Sequence, residues 1–157
     1  MRILIALAAL ALCASASAAE PQPGTANFSP RIIAACGTEL NSEGALRRLP
    51  PRAREQKLAC LLREIARDLN QELPQTEDDV TFEKVSVAGM ELTYRQTLHG
   101  DARNPDPARA AAVGEAIRTG LCSKSYFRSI TSMGAAFNVR VHDENGRLLS
   151  ETRISRC

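Results

Sequence analysis

The chain has 157 residues, 44% of them hydrophobic, with 20 basic against 18 acidic side chains and a formal charge of +2. Charge this close to balance, with no long single-sign run, offers no bulk electrostatic attraction to nucleic acid or to an anionic surface. Tryptophan is absent and the aromatics are two Tyr and four Phe, too few to fill a core and also supply a stacking platform for sugars or bases.

Residues 1–19 read as a secretory leader. Arg2 supplies the positive start, Ile3 to Leu12 form an apolar run too short to span a bilayer, and Ser15 to Ala19 are a small-residue cleavage zone. Cleavage is expected after Ala18 or Ala19. Leu10-Ala11-Leu12-Cys13 has the outline of a lipobox, but lipoprotein signals place Gly, Ala or Ser just before the cysteine. Leu12 is neither small nor polar, so no lipid anchor at Cys13 is expected. With the leader goes Cys13, and an even set of Cys36, Cys60, Cys122 and Cys157 remains. An even set in an exported chain reads as two structural disulfides in the periplasm or outside the cell. No transmembrane segment follows the leader.

Residues 20–28 carry Pro, Gly and polar side chains without periodicity and read as a flexible lead-in to a single domain over 29–157. Ser29-Pro30 is the N-cap and first position of a short helix through Ile32, Ile33 and Cys36, ended by Gly37. Thr38 to Pro50 reads as irregular, with one turn around Ala45 to Leu49. The strongest helix runs from Pro51 to Leu73, where Pro74 stops it. Leu58, Leu61, Leu62, Ile65, Leu69 and Leu73 make one stripe. Cys60 lies about 200° from Leu58, on the solvated face beside Glu64 and Arg67. A half-cystine there needs a segment wrapped around the outside of the helix, and the helix ending at Cys36 is nearest. Cys36 is therefore paired with Cys60.

Gln75 to Asp79 reads as an acidic connector. Val80 to Val87 and Met90 to Leu98 then alternate as the strands of a hairpin around Ala88-Gly89. Val80 and Phe82 have one parity, Val85 and Val87 the other, which requires a bulge near Glu83-Lys84. Asn104-Pro105-Asp106-Pro107 turns into a helix capped by Asp106, with Val113, Ala116, Ile117 and Leu121 as its apolar face. Ser123 to Met133 gives a further helical turn that packs Phe127 and Ile130. Ala135, Phe137, Val139 and Val141 alternate with Asn138, Arg140 and His142 as a strand. Asn145-Gly146 turns the chain, and Leu148, Ser150, Thr152 and Ile154 return. Cys157 ends near the start of that strand, where Cys122 arrives from the helix side, so these two are paired. Each disulfide adds about 3 to 4 kcal/mol in the chain-entropy picture.

The run from Cys122 through Gly134, the aromatic strand, Asp143-Glu144-Asn145-Gly146 and the last strand to Cys157 resembles a layout met in small exported bacterial proteins of unknown function. Met90-Glu91-Leu92-Thr93-Tyr94 and its hairpin fit the same outline. The resemblance covers the last half of the chain beyond the leader. It implies a helix-backed antiparallel sheet closed by a disulfide, and it brings no catalytic residues.

Motifs for chemistry are sparse. There is no C-x-x-C, H-E-x-x-H or G-x-S-x-G, and no lysine stands three residues after a serine. His99-Gly100-Asp101 is read as a strand-end loop, Glu77-Asp78-Asp79 as a solvated connector, and Asp143-x-Asn145-Gly146 as a hairpin turn lacking the twelfth-position glutamate of a calcium loop. One feature breaks a local rule. Arg47, Arg48, Arg52 and Arg54 crowd the start of the long helix, where its dipole disfavours cations. As a docking patch they would meet an anionic partner surface; as exposed loop side chains they cost little.

These features define an α+β domain with a four-stranded antiparallel sheet covered on one face by helices, two disulfides, and no metal or cofactor. The function expected is non-catalytic binding of another envelope protein in the periplasm, as a secretion chaperone or pilotin-like accessory factor. The alternatives are an inhibitor or immunity protein against a wall-degrading enzyme, and a small envelope hydrolase without a local motif. The leader reading is checked by intact mass of the exported protein, which should begin at Ala19 or Glu20 and carry no acyl chain on Cys13.

Overall fold

The computed structural model describes residues 28–100 and 106–157. The leader with Cys13, nearly all of the lead-in, Asp101 and the Asn104-Pro105 half of the turn lie outside the described residues. In chain order the elements are α1 (Pro30–Cys36), a 3-10 turn (Thr38–Asn41), α2 (Glu43–Arg48), α3 (Pro51–Glu72), β1 (Gln75–Glu77), β2 (Val80–Ala88) and β3 (Glu91–Leu98). After these come α4 (Pro107–Ser123), α5 (Ser125–Ser132), β4 (Ala136–His142) and β5 (Leu148–Ile154).

The caps are where the sequence places them. Ser29 Oγ accepts from the Ile32 amide, Pro30 opens α1, and Gly37 ends it at φ 107°, a conformation that favours glycine. The Asp106 carboxylate accepts from Arg109 at the start of α4. Thr38 to Pro50, expected to be irregular with one turn around Ala45 to Leu49, forms two short helical pieces, the second overlapping that turn. Ser42 caps the second by accepting from the Ala45 amide, and Leu40 and Leu46 are buried beneath them.

The sheet corrects the expected architecture. It has five strands in the order β1-β2-β3-β4-β5, not four, and it is mixed, not antiparallel. The connector Gln75–Glu77 pairs with Val80–Phe82 as β1, through a tight turn that holds Asp78 at φ 52°. β3 and β4 run parallel, with Leu92 opposite Phe137 and Gln96 opposite Val141. The reason is the connection: α4 and α5 carry the chain back to the end where β3 began, so β4 must start beside Glu91 and run the same way.

The bulge falls between Phe82 and Lys84. It brings Val80, Phe82, Val85 and Val87 onto the face shared by Leu92, Tyr94, Leu98, Phe137, Val139 and Val141. α3 packs over β2 and β3, and α4 over β4 and β5, on that face. The other face is polar, tied by Arg95–Glu83 and Arg140–Glu151 ion pairs between neighbouring strands and by Arg153–Glu91, which reaches from β5 across β4 to β3.

Both expected disulfides are present. Cys36–Cys60 joins α1 to α3 and Cys122–Cys157 joins the end of α4 to the tail beyond β5. A side-chain clamp does similar work for β2. Beyond Phe82 its outer edge has left β1, and Asn70 of α3 fills the place of a strand: its amide donates to the Val85 carbonyl at 2.7 Å and its oxygen accepts from the Val85 N–H at 2.8 Å. Asn70→Ala removes both bonds and strips a strand residue of its two partners. The urea midpoint should fall by about 1 to 3 kcal/mol equivalents at unchanged m-value.

Candidate functional site

α1 lies across the solvated side of α3, with Ile32 and Cys36 turned inward. That leaves Ile33 and Ala34 on its outer side, where with Phe28 and Pro30 they form the apolar wall of an open cleft of about 700 Å³. The opposite rim is polar. Lys57 of α3 reaches Glu39 of the 3-10 turn at 3.2 Å, and both line the cleft with Thr38 and Asn41. A backbone hydrogen bond, assisted by Lys57, holds the Glu39 carboxyl below its ordinary value. Lowered in the fold, that carboxylate favours the native rim above the glutamate range and ceases to do so as pH falls through its folded pKa. A Cβ at Gly37 would push the flexible ends of Lys57 and Glu39 apart, and its φ of 107° itself favours glycine. The cleft combines an apolar wall with one cation and one anion, which is the chemistry of a binding surface.

Phe28 also anchors this corner to the rest of the domain. Its ring meets Tyr126 edge-on at 6.1 Å, Tyr126 lies on Phe127 at 4.1 Å, and Phe127 meets Phe137 of β4 edge-on at 4.9 Å. Burial pushes the Tyr126 hydroxyl up to about 12.

The four arginines differ in their surroundings. Arg47 bonds Glu43 at 2.7 Å and donates to Ser132 of α5 at 2.6 Å, so it tethers α2 to α5. Arg54 donates to the Arg47 carbonyl at 3.2 Å and thereby satisfies the C-terminal end of α2. Arg48 and Arg52 are exposed and take no ion-pair partner among the described residues. Tertiary hydrogen bonds of this kind leave no local sequence signal.

A second constellation also escapes sequence reading, because it joins residues far apart in the chain. On the polar face, Thr81 Oγ1 is 2.6 Å from His99 Nε2, and His99 Nδ1 is 3.1 Å from Glu144. Glu144 only accepts, so in the neutral ring Nδ1 carries the proton and the Thr81 hydroxyl donates to Nε2. Thr76, 2.8 Å from Thr81, then donates to it. This is the order of a hydroxyl, a base and a carboxylate. Yet the His99 and Glu144 side chains are 41% and 46% exposed, so the row is open to water and ties the β3 end to the β4–β5 turn. Among the described residues no group of three or more His, Cys, Asp or Glu side chains could hold a metal, and no helix is long and apolar enough to cross a membrane.

No protein-family model matches the chain, and no curated protein matches it. Solved structures do. A Pseudomonas aeruginosa protein described as secreted superposes with a TM-score of 0.55 at 15% identity, over 64% of this chain and 90% of that one. The pilotin of the Vibrio vulnificus type 2 secretion system gives 0.55 at 16% identity, over 64% and 89%. The type II secretion system pilotin of Vibrio cholerae gives 0.51 at 19% identity, over 64% and 90%. The chain is thus similar in fold to small secreted and secretion-pilotin proteins.

The unequal placement of the arginines has a measurable outcome. Arg47→Ala should cost about 1 kcal/mol through its lost bonds to α5, whereas Arg48→Ala with Arg52→Ala should stay within about 0.5 kcal/mol of the parent in urea denaturation.

Proposed function

We propose that the protein is a non-catalytic, pilotin-like accessory factor of an envelope secretion apparatus, working in the periplasm by holding another component of that apparatus. The fold shared with two type II secretion pilotins carries this reading. The cleft beside the Cys36–Cys60 disulfide supports it as the place where a partner segment docks, its apolar side chains against Ile33 and Ala34 and its charged groups at Lys57 and Glu39. Arg48 and Arg52, exposed and without ion pairs among the described residues, are available to an acidic part of the same partner.

A photo-reactive residue in place of Ile33 tests the proposal in cells that make the protein. The expected adduct contains a structural component of a secretion apparatus, and it disappears in a Lys57→Glu background whose circular dichroism is unchanged. Deleting the gene should leave exported substrates of that apparatus trapped in the periplasm. An adduct with a wall-degrading enzyme, together with normal secretion in the deletion strain, would favour the inhibitor reading instead.

A further inference from the structure

The two edges of the sheet are not alike. β1 is three residues long, exposed, adjoins Pro74 and carries Glu77, and the rest of the β2 edge is occupied at Val85 by Asn70. Such an edge does not accept another strand. β5 has seven residues and no proline, and beside its start stands Leu148, a large apolar side chain left 43% exposed. Its outer backbone groups are unpaired within the sheet, because β4 takes only the inner side.

The charges along β5 choose an occupant. Glu151 and Arg153 lie two residues apart on the polar face. If a second β5 is added antiparallel about a two-fold axis at Thr152, each copy's Glu151 stands opposite the other's Arg153, giving two complementary pairs. Sliding the register by two residues sets Glu151 against Glu151, or Arg153 against Arg153. Sliding it by one puts the polar face of one copy in line with the helix-covered face of the other. The strand is thus complementary to itself in one register.

The helix above agrees with this register. α4 touches Thr152 at Gly114, where a Cβ would collide with the Thr152 side chain, so the same axis passes near the middle of α4. Arg109 reaches across to Asp79 on one side of the helix, while Cys122 on the other side is bound to Cys157 beyond β5. At about 100° per residue, Ala111, Glu115 and Arg118 share the Cys122 side and so border the free edge. Ala111 is small and exposed, which lets a second α4 approach. The exposed Glu115–Arg118 pair presents one acid and one base to its own copy in reverse order.

We propose that β5 is a self-association edge: two copies pair their β5 strands antiparallel about Thr152, with Glu151 of each beside Arg153 of the second copy and the two α4 helices side by side. This goes beyond the accessory role, and it stands or falls without it.

The test uses the oxidised mature chain in analytical ultracentrifugation. The parent should sediment at twice the monomer mass. Arg153→Glu alone and Glu151→Arg alone each place like charges opposite one another and should sediment as monomers. An equimolar mixture of the two should recover the doubled mass, as a one-to-one heterodimer by native mass spectrometry. Because each substitution also breaks an ion pair within the sheet, circular dichroism and the thermal midpoint of each variant serve as controls. If a variant is unfolded, hydrogen exchange on the parent decides, since β5 amides should gain protection as concentration rises. A monomeric parent, dimers that persist in both single variants, a mixture that does not recombine, or β5 exchange independent of concentration would each overturn the proposal.

Discussion

Only one face of this sheet is apolar, and the rest of the molecule is arranged around that constraint. Eight apolar strand residues on that face, from Val85 through Leu92 and Phe137 to Ile154, are nearly or wholly buried, each worth about 1.5 to 3 kcal/mol if fully removed from water. To cover them, both long helices must lie on the same side. A hairpin with strict alternation would have turned either Val80 and Phe82 or Val85 and Val87 away from that cover. Placing Glu83 in a bulge removes the conflict, and the extra residue is put to use: its carboxylate bonds Thr97 and Arg95 on the polar face and is held below its ordinary value mainly by the Thr97 hydroxyl. The uncovered face needs no second layer because its charges already meet in opposite-sign pairs across the strands.

The N-terminal corner solves a different problem. α3 has one apolar stripe turned to the sheet, and its outer side carries Glu64, which is nevertheless 6% exposed. A carboxylate so buried requires partners, and it has two: Arg31 from α1 at 3.4 Å and Arg67 one turn on at 3.1 Å. α1 is too short to hold its place by helix propensity. The Cys36–Cys60 bond, the Arg31 ion pairs and the Phe28–Tyr126 contact fix it instead. Because α1 is held from its inner side, its outer side is left apolar and unoccupied, and the cleft is the consequence.

Local features of the sequence were legible because they rest on local physics. Caps at Ser29 and Asp106, the stop at Gly37, the bulge after Phe82 and the turn at Asn145-Gly146 all follow from near-neighbour geometry. The cysteine pairing was also legible, since Cys60 stands off the apolar stripe and so demands an outer segment. What the sequence hid depends on where a distant segment returns. The parallel β3–β4 pairing needs knowledge that α4 and α5 together span the sheet. β1 has three exposed polar residues, Gln75, Thr76 and Glu77, with no alternation from which to infer a strand. The bond from Arg47 to Ser132, 85 residues on, was hidden for the same reason.

The same division explains how the fold can be shared with pilotins at 16% and 19% identity. One-sided burial restricts strand residues to apolar or polar by parity, and many sequences satisfy that. It restricts the outer side of α1 and the free edge of β5 less, since Ile33 is only partly buried against the core and the β5 edge presents backbone. Residues there are selected by whatever they touch. Ile33, Lys57 and Glu39 at the cleft, and Glu151 and Arg153 at the edge, are therefore where the proposed partners would be distinguished, while the interior forms the platform that holds these residues in place.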